Sequence, residues 1–332
     1  MRTRFLFFFL SSLLIAFFLV DMMIGSTSIP PADIWAALTG GDCPPVTKKI
    51  ILNIRLLKAV VALVAGAALS VSGLQMQTLF RNPLAGPYVL GISSGASLGV
   101  ALFILGAPVL GFAGTSAFSA LGVAGAAWIG AAAVLLVIAA LSRRIKDIMV
   151  ILILGMMLGS GIGAIVQILQ YLSNESSLKT FVIWTMGSLG NVTSLQLALL
   201  IPAFIAGLVL AVLAIKPLNL LLLGENYART MGLNIHQSRL FVFLSTTLLA
   251  GTVTAFCGPI GFIGLAVPHV TRSLFANADH RILMPGVILT GGITMLICDI
   301  ISRLSALPVN TITALMGIPI VIWVVFRNKN IF

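Results

Sequence analysis

Acidic side chains are scarce in this chain, eight Asp and Glu among 332 residues, and charge of either sign makes up only 8% of it. An ordinary soluble domain carries roughly 25% charged residues, so a water-exposed globular fold is excluded. Cysteine is nearly as rare. Cys43, Cys257 and Cys298 stand far apart, with neither metal-ligand spacing nor a disulfide framework, and are read as small packing residues; no metal and no cofactor is expected. No G-x-x-x-x-G-K-[ST] phosphate loop occurs, so a machine driven by ATP would need its nucleotide site on a partner. Histidine is limited to His236, His269 and His280. Gly91-Ile92-Ser93-Ser94-Gly95 has the lettering of a nucleophile elbow, but it lies in an apolar helix and all three histidines fall on the other side of the expected topology. No catalytic residue and no enzymatic activity is expected.

What the chain has in quantity is apolar surface: 59% of its residues are hydrophobic and its mean hydropathy is +1.16. A hydrocarbon core about 30 Å thick takes roughly 20 apolar residues per helix, and the runs fit ten spans. They are placed near 5–24, 57–79, 88–105, 118–141, 148–171, 194–214, 239–257, 262–275, 283–300 and 310–326. The expected fold is therefore an all-α polytopic membrane protein, with residues 1–332 as one transmembrane domain embedded in a lipid bilayer. Spans three and eight are short and rich in glycine, which suits tilted or half-buried pieces along a pathway. The first run follows Arg2 and Arg4 and lacks a small-x-small cleavage site, so it is read as a retained helix.

The net charge of +11 comes from cations scattered between apolar runs, without interleaved aromatics, so nucleic acid is not an expected partner. With the N-terminus in the cytoplasm, thirteen of the 19 cations fall inside and six outside, as the positive-inside rule requires. An even number of spans then returns the C-terminus to the cytoplasm. Small residues repeat at four-residue spacing, Gly91, Gly95 and Gly99, then Gly155, Gly159 and Gly163, a pattern that lets helix backbones approach closely. Gly66, Gly73 and Pro83 share their intervals with Gly251, Gly258 and Pro268, which either marks spans two to five and seven to ten as related halves or reflects only the abundance of glycine.

Charge interrupts the apolar sequence at Lys216 to Arg239, KPLNLLLLGENYARTMGLNIHQSR, a stretch too polar for lipid. Gly224 and Gly232 permit tight corners, so two short helices are expected to form a knob outside the bilayer, with Glu225 and Arg229 four apart and able to pair. Asp299 and Arg303 are likewise four apart at a span end. His269 is read as a hydrogen-bonding group at a helix end, and Asp21, near the end of span one, is ambiguous between an ion pair and function.

Several ordered motifs resemble those of the FecCD family of binding-protein-dependent permeases. They include Val64-Ala-Gly-Ala-Ala-Leu-Ser-Val-Ser-Gly73, Gln77, Arg81-Asn-Pro-Leu-Ala-Gly-Pro87, Trp184-Thr-Met-Gly-Ser-Leu189, Leu223-Gly-Glu225 with Ala228 and Gly232, and Gly258-Pro-Ile-Gly-Phe-Ile-Gly-Leu265 with Pro268-His269. Asp279-His-Arg281 and Thr313-Ala314 with Gly317 and Pro319 continue the match. The resemblance implies ten spans in a bacterial inner-membrane subunit of an ATP-binding-cassette importer. It implies a second permease copy, two ATPase subunits and a soluble substrate-binding protein as partners. Its cargo would be a large metal chelate, an iron-siderophore first, with haem or cobalamin as the alternative. By resemblance, Gly224, Glu225, Ala228, Arg229 and Gly232 couple to the ATPase, while Asn82, Leu84 and Lys146 through Met149, with Asp147 and Ile148, form the inner gate. Arg55, Lys58 and Arg303 would receive acidic side chains of the binding protein. Two outer-face motifs depart from the family: Arg55-Leu56-Leu57-Lys58 replaces R-L-P-R, and Ala306-Leu307-Pro308-Val309-Asn310 replaces E-L-P-V-G. A rival from another class is a proton- or sodium-coupled transporter, for which Asp21 and Asp299 near span ends are poor ion sites.

Overall fold

The computed structural model describes residues 2–25, 27, 29–106, 120–145 and 147–327. Lys146 of the expected gate, and the first two positions of the expected fourth span, lie outside the described residues. Fourteen helices and no strand occur among those described. In chain order they are α1 Arg2–Met23, α2 Pro31–Thr39, α3 Pro45–Leu79, α4 Ile92–Ile104, α5 Ala120–Arg144, α6 Ile148–Leu172 and α7 Glu175–Thr185. Then follow α8 Ser194–Leu213, α9 Ile215–Leu222, α10 Glu225–Thr230, α11 Ile235–Cys257, α12 Ile263–Phe275, α13 His280–Ser305 and α14 Val309–Arg327.

Ten of these coincide with the ten expected spans, and seven described helices are long and apolar enough to cross a membrane. The chain is an all-α polytopic membrane protein. The extra helices α2, α7, α9 and α10 are short and lie between spans. Helices α4 and α12 have 13 residues each, about 20 Å at 1.5 Å per residue, too short to cross alone. They hold corresponding places in the two halves that the glycine intervals suggested.

Short polar side chains start the helices by supplying acceptors that the first turn otherwise lacks. Asp147 caps α6 through the Met149 amide at 2.8 Å, Asn234 caps α11 through Gln237 at 3.1 Å, and Thr193 with Gln196 forms a capping box on α8. Packing follows the small residues. A Cβ at Gly95 would lie 2.5 Å from the Gly130 carbonyl oxygen and one at Gly99 2.0 Å from that of Ala126, so α4 and α5 touch backbone to backbone. Gly91 meets Gly155 and Gly159 of α6 in the same way. Gly163 meets nothing within 4 Å, so the small-residue face of α6 is used only in part. The core helix is α3, buried along most of its length between α13, α12, α8 and α11.

Chain direction alternates through the ten spans and sorts the turns to two ends. One, here the knob end, gathers α9, α10, the turns 80–91 and 276–279, and Ile145 and Asp147 between α5 and α6. The far end gathers the end of α1, the π-helical turn Ile51–Arg55 of α3 and the end of α13.

Candidate functional site

The knob consists of α9 and α10 only; residues 235–239, expected to belong to it, already form the first turn of α11. Leu218, Leu221 and Ala228 anchor it by burial. Gly224 joins the two helices at φ 106° and ψ 150°, a region essentially closed to any residue with a Cβ. Gly232 ends α10 at φ 83°, and the Gly232 amide to Arg229 carbonyl (2.9 Å) and Leu233 amide to Ala228 carbonyl (3.0 Å) bonds form a Schellman closure. Tyr227 and Met231 are exposed on its outer face.

The expected Glu225–Arg229 pair is not formed. Glu225 instead accepts from Arg239 of α11 at 2.6 Å, while Arg229 is exposed. The physical reason is burial: Arg239 is entirely buried and needs a counter-charge, whereas an exposed pair four apart is worth only about 0.3–0.5 kcal/mol. A second polar tether holds α9. Asn219 donates to Asp279 at 2.6 Å, and its side-chain oxygen accepts from the His280 amide at 2.9 Å and from His280 Nδ1 at 2.7 Å. That proton on Nδ1 leaves Nε2 to accept from the Thr78 hydroxyl, 2.9 Å away on α3. Asp279 also accepts from the Arg281 amide, and this bond with that of Asn219 holds its carboxyl below the ordinary carboxylate range.

The turn after α3, where the gate was expected, is built by Asn82, whose side chain accepts from the Leu84 amide at 2.9 Å while its carbonyl accepts from Ala85 at 3.1 Å. Leu84 is left exposed at the tip. His269, read as a hydrogen-bonding group, does bond here: its Nε2 lies 2.6 Å from the Pro83 carbonyl and therefore donates. Gln77 links the base of the turn to α12, accepting from Arg272 at 2.5 Å and donating to the Leu265 carbonyl at 3.0 Å. Across from it Asp147 caps α6 and Ile148 is buried behind it. Arg81, Ile148 and Met149 face Gly224, Glu225 and Tyr227 over one open cleft of about 730 Å³, so the expected gate and coupling residues share a wall-to-wall space.

At the far end the structure brings Arg55, Lys58 and Arg303 together, but turns their charges inward. Arg303 bonds Asp21 at 2.8 Å and also Asp299, and donates to the carbonyls of Asp21 and Ile24. Lys58 reaches the other oxygen of Asp299 at 2.9 Å. Arg55 is 4% exposed and donates to the carbonyls of Met22, Met23 and Thr27. The Asp299–Arg303 pair is present as expected, within a cluster the spacing could not reveal. Sequence reasoning assigned no partners to Arg239, Asn219, Thr78 and His280, because each partner lies on another helix and only the fold brings them together.

Residues 13–327 match the FecCD transport family. The chain belongs to that family. A hemin transport system permease protein of Yersinia pestis is 38% identical over 330 residues, covering 97% of this chain and 95% of the relative. A vitamin B12 import system permease protein of Klebsiella pneumoniae is 36% identical over 334 residues, covering 99% and 95%. A solved structure described as an inward-facing conformation of a metal-chelate type ABC transporter superposes with a TM-score of 0.84 at 30% identity, over 97% of this chain and 99% of that one. This FecCD protein is therefore an importer permease, a transport subunit whose knob and Asn82 turn sit at one end of a helical bundle.

Proposed function

We propose that this permease forms, with a second copy, the inward path of an ATP-driven importer for a metal-centred tetrapyrrole of the haem or cobalamin kind. Two ATPase subunits dock on α9 and α10, which places the knob end and both termini in the cytoplasm of a bacterium with the permease in its inner membrane. A substrate-binding protein docks at the far end. The observation that carries this reading is the shared cleft: a partner that moves the knob acts on Arg81, Ile148 and Met149 with no span in between. The cargo follows from the hemin and vitamin B12 named for the relatives, and takes the place of the iron-siderophore that the sequence put first. Asp21 and Asp299, the carboxylates an ion-coupled carrier would need, are already engaged by Arg303 and Lys58.

Docking at the far end falls to Lys58 and Arg303, whose side chains keep 20% and 13% exposure, while Arg55 braces the corner from within. The test is uptake by proteoliposomes holding the permease, its ATPase and its binding protein, with haem, cobalamin and a ferric siderophore in separate arms. ATP-dependent accumulation of one tetrapyrrole is expected. Accumulation of the siderophore alone would overturn the cargo, and accumulation under a proton gradient without the ATPase would overturn the mechanism.

A further inference from the structure

Arg239 lies four residues into α11 with its guanidinium wholly buried, yet it touches two elements that belong to different parts of the machine. Its Nη2 donates to Glu225 at 2.6 Å, the first residue of the six-residue α10. Its Nη1 donates to the carbonyl of Ile145 at 3.3 Å, in the turn that leads to Asp147 and Ile148. A helix as short as α10 has little core of its own, with Ala228 its one fully buried side chain. The charged bond at its first residue is thus a principal constraint on where it sits.

We propose that Arg239 is the positioning residue that carries a displacement of α10 to the turn in front of α6. The inference rests on the reading that α10 receives the ATPase. The planar guanidinium is suited to it because its two Nη atoms diverge toward two acceptors at fixed separation, so Glu225 and the Ile145 carbonyl must move together or lose a buried charge-assisted bond. A lysine ammonium at this position would reach one acceptor at the expense of the other. The cleft lined by Glu225, Ile148 and Met149 is open, so packing alone does not enforce the link.

The experiment uses the permease reconstituted with its ATPase. Cys43, Cys257 and Cys298 are replaced by Ser or Ala, and a reporter cysteine is placed at Met149, which is exposed on the first turn of α6. The rate of maleimide labelling is compared with and without a non-hydrolysable ATP analogue. With Arg239 in place the analogue is expected to change the rate severalfold. In Arg239→Met the change is expected to vanish, and in Arg239→Lys to fall well below that of the parent, since one ammonium cannot hold both acceptors. Should Arg239→Met fail to fold, Glu225→Ala removes the acceptor, and with it the same link, from its partly exposed side and is expected to abolish the change as well. A full nucleotide response in Arg239→Met, or in Glu225→Ala, overturns the proposal. Co-purification of the ATPase is read in parallel, together with its loss on attaching a bulky label at Tyr227→Cys. If the label leaves ATPase binding intact, it is the docking of α10 that fails, a result separable from failure of the Arg239 link.

Discussion

At the residue scale, the far-end cluster separates two roles that a list of cations would merge. Arg55 serves three backbone carbonyls at the end of α1 and in the loop beyond it, and hydrogen bonds to a charged group contribute about 1.5–3 kcal/mol each. Arg55→Met is therefore expected to lower the melting temperature of the purified permease by several degrees. An unchanged melting temperature would show that the brace is not needed. Lys58→Glu is expected to act differently, weakening association with the binding protein and flattening its salt dependence, because rim charges mainly set encounter and register. Affinity measured in nanodiscs across a salt series checks this, and wild-type values at every salt would remove Lys58 from the docking surface. Asp279 gives a pH prediction. Its folded pKa is depressed, so the stability it adds is complete above the ordinary carboxylate pKa of about 3.9 and is lost as pH falls through the lower folded value. The melting-temperature gap between wild type and Asp279→Asn should stay constant from pH 8 to about 5 and close only below about pH 4. A gap that closes by pH 6 would mean another group controls the tether.

At the element scale, the two glycine corners of the knob are not equivalent. Gly232 closes α10 at φ 83°, in the left-handed territory that Asn also visits, and a Cβ there meets nothing within 4 Å. Gly224 has φ 106° with ψ 150°, where only glycine is comfortable. Gly232→Asn should thus retain most uptake, while Gly224→Asn and the valine variants at both sites should lose it with the protein still inserted. Equal uptake from Gly224→Asn and Gly232→Asn would contradict this. Both corners were legible in the sequence because glycine is required where a backbone turns this way. So were the ten helical runs, from their apolar composition, though not all of them reach bilayer length. The partners of polar groups were not. Spacing pointed Glu225 to Arg229 because both lie on one short helix, whereas desolvation of Arg239, fourteen residues on, claimed the carboxylate. Asn219, His280 and Thr78 form their chain across α9, α13 and α3, and no periodicity within one helix encodes a contact between three. Arg55, Lys58 and Arg303 were found as charges at span ends, but that they face Asp21, Asp299 and backbone carbonyls depends on where α1 packs.

At the scale of the whole molecule, the account is that a soluble motor moves the knob and the gate end follows, while the far end stays braced by its ion cluster. A ligand shifts such an equilibrium only by its differential affinity for the two arrangements, so the motor must hold the knob differently with and without nucleotide. The long α3 and α13, packed glycine to glycine at Gly66 and Gly291, form the stiff body against which the turns at the knob end can move. The most direct measurement is disulfide crosslinking of Leu84→Cys, at the exposed tip of the gate turn, between two permease copies in a background lacking Cys43, Cys257 and Cys298. With the ATPase bound, the account predicts a crosslinking yield that changes with addition of ATP analogue and reverts on its removal. The same yield with and without nucleotide, in complexes shown to contain the ATPase, would contradict it.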